Sequence, residues 1–170
     1  MRAMAIGGIV LLIVTLAVAQ GPEAMSAQTI KTFASSADVA AMIEKAKKER
    51  KPDQPNYSQS ILQLAPYRVR LEYRALVDTS SVHEAEAEIY YVIEGSAVLV
   101  TGGKLTGEKR NDQMNLSGSG IDGGTTQKVA KGDFVIVPEN TPHWFSRIDG
   151  AVVLMTVHVP RPVPESRKSD

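Results

Sequence analysis

The sequence predicts an all-β, antiparallel sandwich or barrel preceded by one N-terminal α-helix. Three observations carry that expectation. Apolar residues recur with period two in short runs from Pro52 onward, turn residues separate those runs at close intervals, and one early stretch alone has helical spacing. Many short strands after a single helix suit a sheet folded on itself, not alternating βαβ units.

Residues 1–19 carry one charge, Arg2, then an apolar run from Ala3 to Ala19 that closes on Ala17-Val18-Ala19, the small-x-small pattern a signal peptidase accepts. The run is shorter than the ~20 residues a membrane-crossing helix needs, so the expectation is an export signal, with no stable membrane insertion after cleavage. Residues 20–34 read as a flexible leader, 35–165 as one domain and 166–170 as a polar tail. The protein is therefore expected in the periplasm or the secreted fraction. With no cysteine among 170 residues, its core alone must supply the stability. Nineteen basic residues balance nineteen acidic ones, which leaves no global field for nucleic acid and favours small-molecule or protein partners.

Ser35-x-x-Asp38 predicts a capping box, and Val39, Met42, Ile43 and Ala46 fall at helical spacing. Lys47, Lys48, Arg50 and Lys51 gather at the predicted helix C-terminus, and Pro52 ends it. Tyr67 to Ala75 then alternates strictly, with Arg68, Arg70 and Arg74 on one face, expected to be solvated. Further strands are predicted at 60–64, 89–93, 97–101, 125–130, 134–137, 144–148 and 151–159. Gly102-Gly103 and Asp149-Gly150 read as hairpin turns. Leu105 to Gly124, polar and glycine-rich with little alternation, reads as a long surface loop or flap.

Two stretches hold most of the candidate chemistry: His83 to Gly95, and Gly132 to His143. In the first, His83 stands four residues before Glu88, and Gly95 follows after six more; in the second, Gly132, Pro138 and His143 are regularly spaced. These residues resemble the paired motifs of the cupin superfamily, in order, and the resemblance covers roughly residues 67–159. It implies a double-stranded β-helix, the jelly-roll or cupin barrel, with one divalent metal ion (Zn, Mn, Fe or Ni) held by His83, Glu88 and His143. The chain departs from the motifs at Ser81, which takes the slot of the first histidine, at Asn140 for a glycine and at Arg147 for an asparagine. A spacing shorter by one residue would put Glu84 in the second histidine's slot.

Two imidazoles and a carboxylate around open positions suit zinc or non-haem iron on chemical grounds alone. Glu86 shares strand parity with Glu88, as a spare ligand or general base facing the interior, or as a solvated residue. His158 shares parity with Val152, Leu154 and Thr156, either as a fourth nitrogen inside the barrel or as a buried, hydrogen-bonded histidine. Tyr90, Tyr91, Trp144 and Phe145 border the proposed ligands. The superfamily spans oxygenases, isomerases, lyases and non-catalytic binding modules, so three functions stay open: a metal-dependent enzyme on a small molecule, a ligand-binding module, or an interaction scaffold built from strand exchange between subunits. Cupins commonly pair, so a homodimer is expected.

Overall fold

The computed structural model describes residues 30–161. The expected signal at 1–19, most of the leader and the tail at 166–170 lie outside that range. No helix among the described residues is long and apolar enough to cross a membrane.

The helix forms where the capping signals stand. α1 spans Ser36–Glu49, and Ser35 caps it: its Oγ accepts from the Asp38 N–H at 3.1 Å, while Asp38 Oδ2 accepts from the Ser35 N–H at 2.8 Å. Lys47 near its end lies 2.9 Å from Glu44 and 3.4 Å from Glu94 of the sheet.

Eleven strands follow: β1 (Asn56–Leu64), β2 (Tyr67–Arg74), β3 (Ser80–His83), β4 (Glu86–Thr101), β5 (Lys104–Thr106), β6 (Lys109–Arg110), β7 (Asn115–Gly118), β8 (Gly120–Asp122), β9 (Thr125–Ala130), β10 (Phe134–Val137) and β11 (His143–Pro160). Two long strands organise them. β4 and β11 run antiparallel over their whole lengths, from His143 opposite Thr101 to Pro160 opposite Glu86. The first half of β4 and the second half of β11 are flanked by β10 on one side and by β2 and β1 on the other. Their remaining halves are flanked by β9, and by β3, β7 and β6. The same two strands thus belong to both faces of a rolled sheet, as in a jelly roll.

The bend has a local cause. Gly95 has φ +79°, and a Cβ there would stand 2.0 Å from the Ala151 carbonyl oxygen. On β11 the register slips between Ile148 and Val152 around Gly150. The bend therefore replaces two expected breaks: residues 89–93 and 97–101 are one strand, and Asp149-Gly150 is an irregularity inside β11 instead of a hairpin turn. Gly102-Gly103 turns the chain from β4 into β5, which pairs with β8 and not with β4.

Two apolar clusters hold the body together. The inner one gathers Tyr90, Val92, Leu99, Val129, Val137, Phe145, Val152 and Leu154 inside the barrel. The outer one packs Ile43 and Ala46 of α1 on Ile61, Leu71 and Val153. This corrects the expectation for Tyr67 to Ala75. The apolar face of β2 turns outward, because α1 covers it; the charged face turns inward at its far end, where Glu72 is buried and Arg74 half-buried, while Arg68 stays exposed as expected. Ile43→Ala should therefore cost about 2–3 kcal/mol, read as a lower midpoint in thermal or denaturant unfolding, and leave the barrel interior unchanged.

Residues 105–124 also depart from expectation. They contain β6, β7, β8 and most of β5, strands of two to four residues joined by tight turns, too short to print an alternating pattern. β7 pairs with β3, placing Asn115 opposite His83.

Candidate metal centre

Three histidines converge on one carboxylate inside the barrel. Glu88, on β4, is 3% exposed, and the pleat points it inward beside its cross-strand neighbour His158 on β11. His83 arrives at the end of β3, and His143 at the start of β11, next to Ser81. The distances are short and similar. His83 Nε2 and His143 Nε2 lie 3.4 and 3.3 Å from Glu88 Oε2, and His158 Nε2 lies 3.3 Å from Glu88 Oε1.

The second histidine and glutamate of one motif thus meet the histidine of the other, inside a rolled antiparallel sheet. The fold is a cupin barrel. Ser81 and His83 line the cavity, and Glu84 turns out to Arg110 at 2.9 Å.

The far side of each imidazole is held by an oxygen. His83 Nδ1 lies 2.6 Å from Asn115 Oδ1, His143 Nδ1 is 3.1 Å from the Thr141 carbonyl, and His158 Nδ1 is 3.1 Å from Glu86 Oε2. Asn115 presents its oxygen because its Nδ2 donates to Asp112 at 2.9 Å. For His83 and His143 an N–H on Nδ1 leaves Nε2 with a lone pair aimed at the centre, the tautomer that metal-ligating histidines adopt, whereas His158 Nδ1 stands between Glu86 Oε2 and the Arg68 guanidinium, 3.2 Å away. Arg68 closes the far side of Glu86 by an ion pair.

The electrostatics follow from crowding four ionisable groups in a dry place. Burial raises the Glu88 pKa, but the His143 and His83 contacts outweigh it and hold the carboxyl well below its usual range. For His83 burial works against the charge, and the bonds to Glu88 and Asn115 reverse the balance, so its pKa is raised. His158 goes the other way, lowered by burial first. The Tyr90 hydroxyl donates to Glu88 Oε2 at 2.7 Å and is pushed far up by burial, then by that carboxylate.

The donor set fits a divalent cation. Ligands roughly 2.0–2.2 Å from a common centre stand about 3–3.4 Å from one another in tetrahedral or octahedral arrangements, which matches these donor separations. The candidate ligand atoms of His83, Glu88 and His158 all lie within 4.8 Å of one another. Of the expected trio, His83 and Glu88 belong to this group, and the third member is His158 from β11; His143 Nε2 stands 3.3 Å from Glu88 Oε2 but outside the group. Glu86 does not line the cavity; its carboxylate is engaged by His158 and Arg68. Sequence alone did not single out Asn115 or Thr141, and it gave Arg68 only as part of a solvated face, since a hydrogen bond to an imidazole leaves no spacing signature.

The centre opens into a cavity of about 190 Å³, bordered by Glu72, Arg74, Ser81, Tyr90, Trp144 and Phe145. That is room for about six waters. A larger depression of about 660 Å³ lies outside, on the β1–β2 hairpin around Leu62, Pro66 and Tyr67, and no histidine or carboxylate among the described residues lines it.

No family model matches the chain, and no curated protein matches it. Solved structures similar to this chain include a cupin superfamily protein from Desulfitobacterium hafniense, at 16% identity over 66% of this chain and 83% of that one, with TM-score 0.45. TT1209 from Thermus thermophilus is 18% identical over 69% and 95%, with TM-score 0.47. KdgF from Halomonas sp. is 14% identical over 66% and 86%, with TM-score 0.47.

Proposed function

We propose that this cupin binds one divalent metal ion through His83, Glu88, His143 and His158, and that a small molecule reaches the ion through the cavity. The observation that carries the reading is the convergence of three Nε2 atoms on Glu88, each imidazole held from behind. In this reading His158 supplies the nitrogen that Ser81 does not. A divalent ion bound there would act as a Lewis acid on a ligand oxygen.

The remaining roles belong to the chain. Glu86, paired with Arg68, fixes the His158 ring and raises its basicity, a positioning role in place of general base. Tyr90 donates to Glu88 and holds the carboxylate orientation. A second reading, ligand binding without turnover, is favoured by Ser81, a small hydroxyl where a strong ligand would stand.

Elemental analysis after dialysis against metal-free buffer tests the proposal. We expect about one ion of Zn, Mn, Fe or Ni per chain, and more than about tenfold weaker retention in His158→Ala. Metal-free protein that takes up none of these ions would overturn it.

Two further expectations join this reading. The exposed Phe134 (69%) and Ile136 (63%) of β10, which among the described residues is an edge strand paired only with β4, support a homodimer built on that edge. The apolar run at 3–19 supports placing the protein in an exported compartment.

A further inference from the structure

The inward turn of β2 leaves one cation in the cavity that the metal ligands do not use. Arg74 Nε donates to Glu72 Oε2 at 2.8 Å, and Nη2 lies 2.6 Å from the same oxygen. Both contacts spend one edge of the guanidinium. Among the described residues Nη1 makes no hydrogen bond to the protein, and the side chain, 16% exposed, lines the cavity.

The group is held in place. Its Cζ lies 5.1 Å from the centre of the Phe145 ring, itself buried. Burial works against its charge, but Glu72 foremost, then Tyr90 and Glu88, keep it protonated. A fixed guanidinium with an open edge in a small, half-dry cavity is built for a planar oxyanion.

The charge balance points the same way. Glu72, Glu88 and Arg74 leave the cavity with one net negative charge, and a divalent cation reverses it to one net positive. A singly charged anion then completes neutrality. Size limits that anion to a few carbons. Trp144, its Nε1 anchored to the Asp78 carbonyl at 2.8 Å, and Phe145 give the carbon skeleton an apolar wall.

We propose that Arg74 recognises the carboxylate of a small organic acid, with the acid's other oxygen directed at the Glu88 centre. The proposal rests on the metal-centre reading, whose failure the test below separates from its own.

Isothermal titration of acetate, pyruvate, glycolate and lactate, against acetamide, pyruvamide, glycolamide and lactamide, would be run on Zn- or Mn-loaded and on metal-stripped protein. At least one acid should bind and its amide should not. Arg74→Lys, which keeps the charge but loses the fork, should weaken the acid by about tenfold or more with unchanged metal per chain. Arg74→Met combined with Glu72→Gln removes both partners and leaves no unpaired buried charge, so the fold is kept, checked by thermal melting, while acid binding disappears. Amides binding as well as acids, no acid binding at all, or full acid affinity in the folded Arg74 variants would each overturn the proposal. Acid binding lost with Arg74 in a protein that retains no metal would sink the metal centre and leave the carboxylate subsite standing.

Discussion

Glu88→Gln is expected to reduce bound metal from about one ion per chain to background, a loss in affinity of more than about a hundredfold. The substitution is nearly isosteric, so what it removes is charge. Three neutral imidazoles cannot offset the cost of desolvating a dication; the carboxylate supplies the only negative ligand, 3.3–3.4 Å from all three nitrogens. The fold should survive. Glutamine still offers Tyr90 an acceptor oxygen, and exchanging a buried charge for a neutral group of the same shape costs little once the cation it serves is absent. Metal titration with an unfolding scan in parallel reads both halves. Glu86→Gln should be milder, roughly ten- to hundredfold, since it acts through His158. Equal metal affinity in wild type and Glu88→Gln would rule out this centre.

Gly95→Ala should cost about 2–5 kcal/mol. Positive φ alone costs an alanine roughly 1–2 kcal/mol, and Gly95 sits at +79°. The new methyl would also overlap the Ala151 carbonyl oxygen, 2.0 Å from the Cβ position, and backbone on both strands must separate to relieve it, adding about 1–3 kcal/mol. Gly132→Ala is the matched control. It has φ +93° but nothing within 4 Å of its Cβ, so it should lose only the first part, about 1–2 kcal/mol. Denaturant titration of both proteins measures the difference; similar losses would mean that the bend tolerates the close approach.

Much of this was legible beforehand, and the misses share a physical origin. The capping box around Ser35 marks its helix because the signal is local, three residues reaching each other within one turn. The spacing from His83 to Glu88 to Gly95 and from Gly132 to His143 points to residues that the rolled sheet brings together, His83 and His143 each standing within 3.4 Å of Glu88. Alternation along Tyr67 to Ala75 declares two unlike faces but not which faces the barrel. That choice is made by α1, which lands on Leu71 and leaves Glu72 and Arg74 inside. His158 was readable by parity alone, and only pairing with β4 puts it opposite Glu88. Asn115 lies in strands too short to show a period, so its contact with His83 is written in the tertiary structure alone.

Sharing β4 and β11 between both faces of the barrel has a kinetic side. Residues as distant along the chain as Glu86 and Pro160 must find each other before either face is complete, so the search entropy falls early and is recovered late. Such a topology folds slowly and leaves no half that could form first and wait for the other. A nascent chain would expose its unpaired strands until β11, which carries His158, has been delivered.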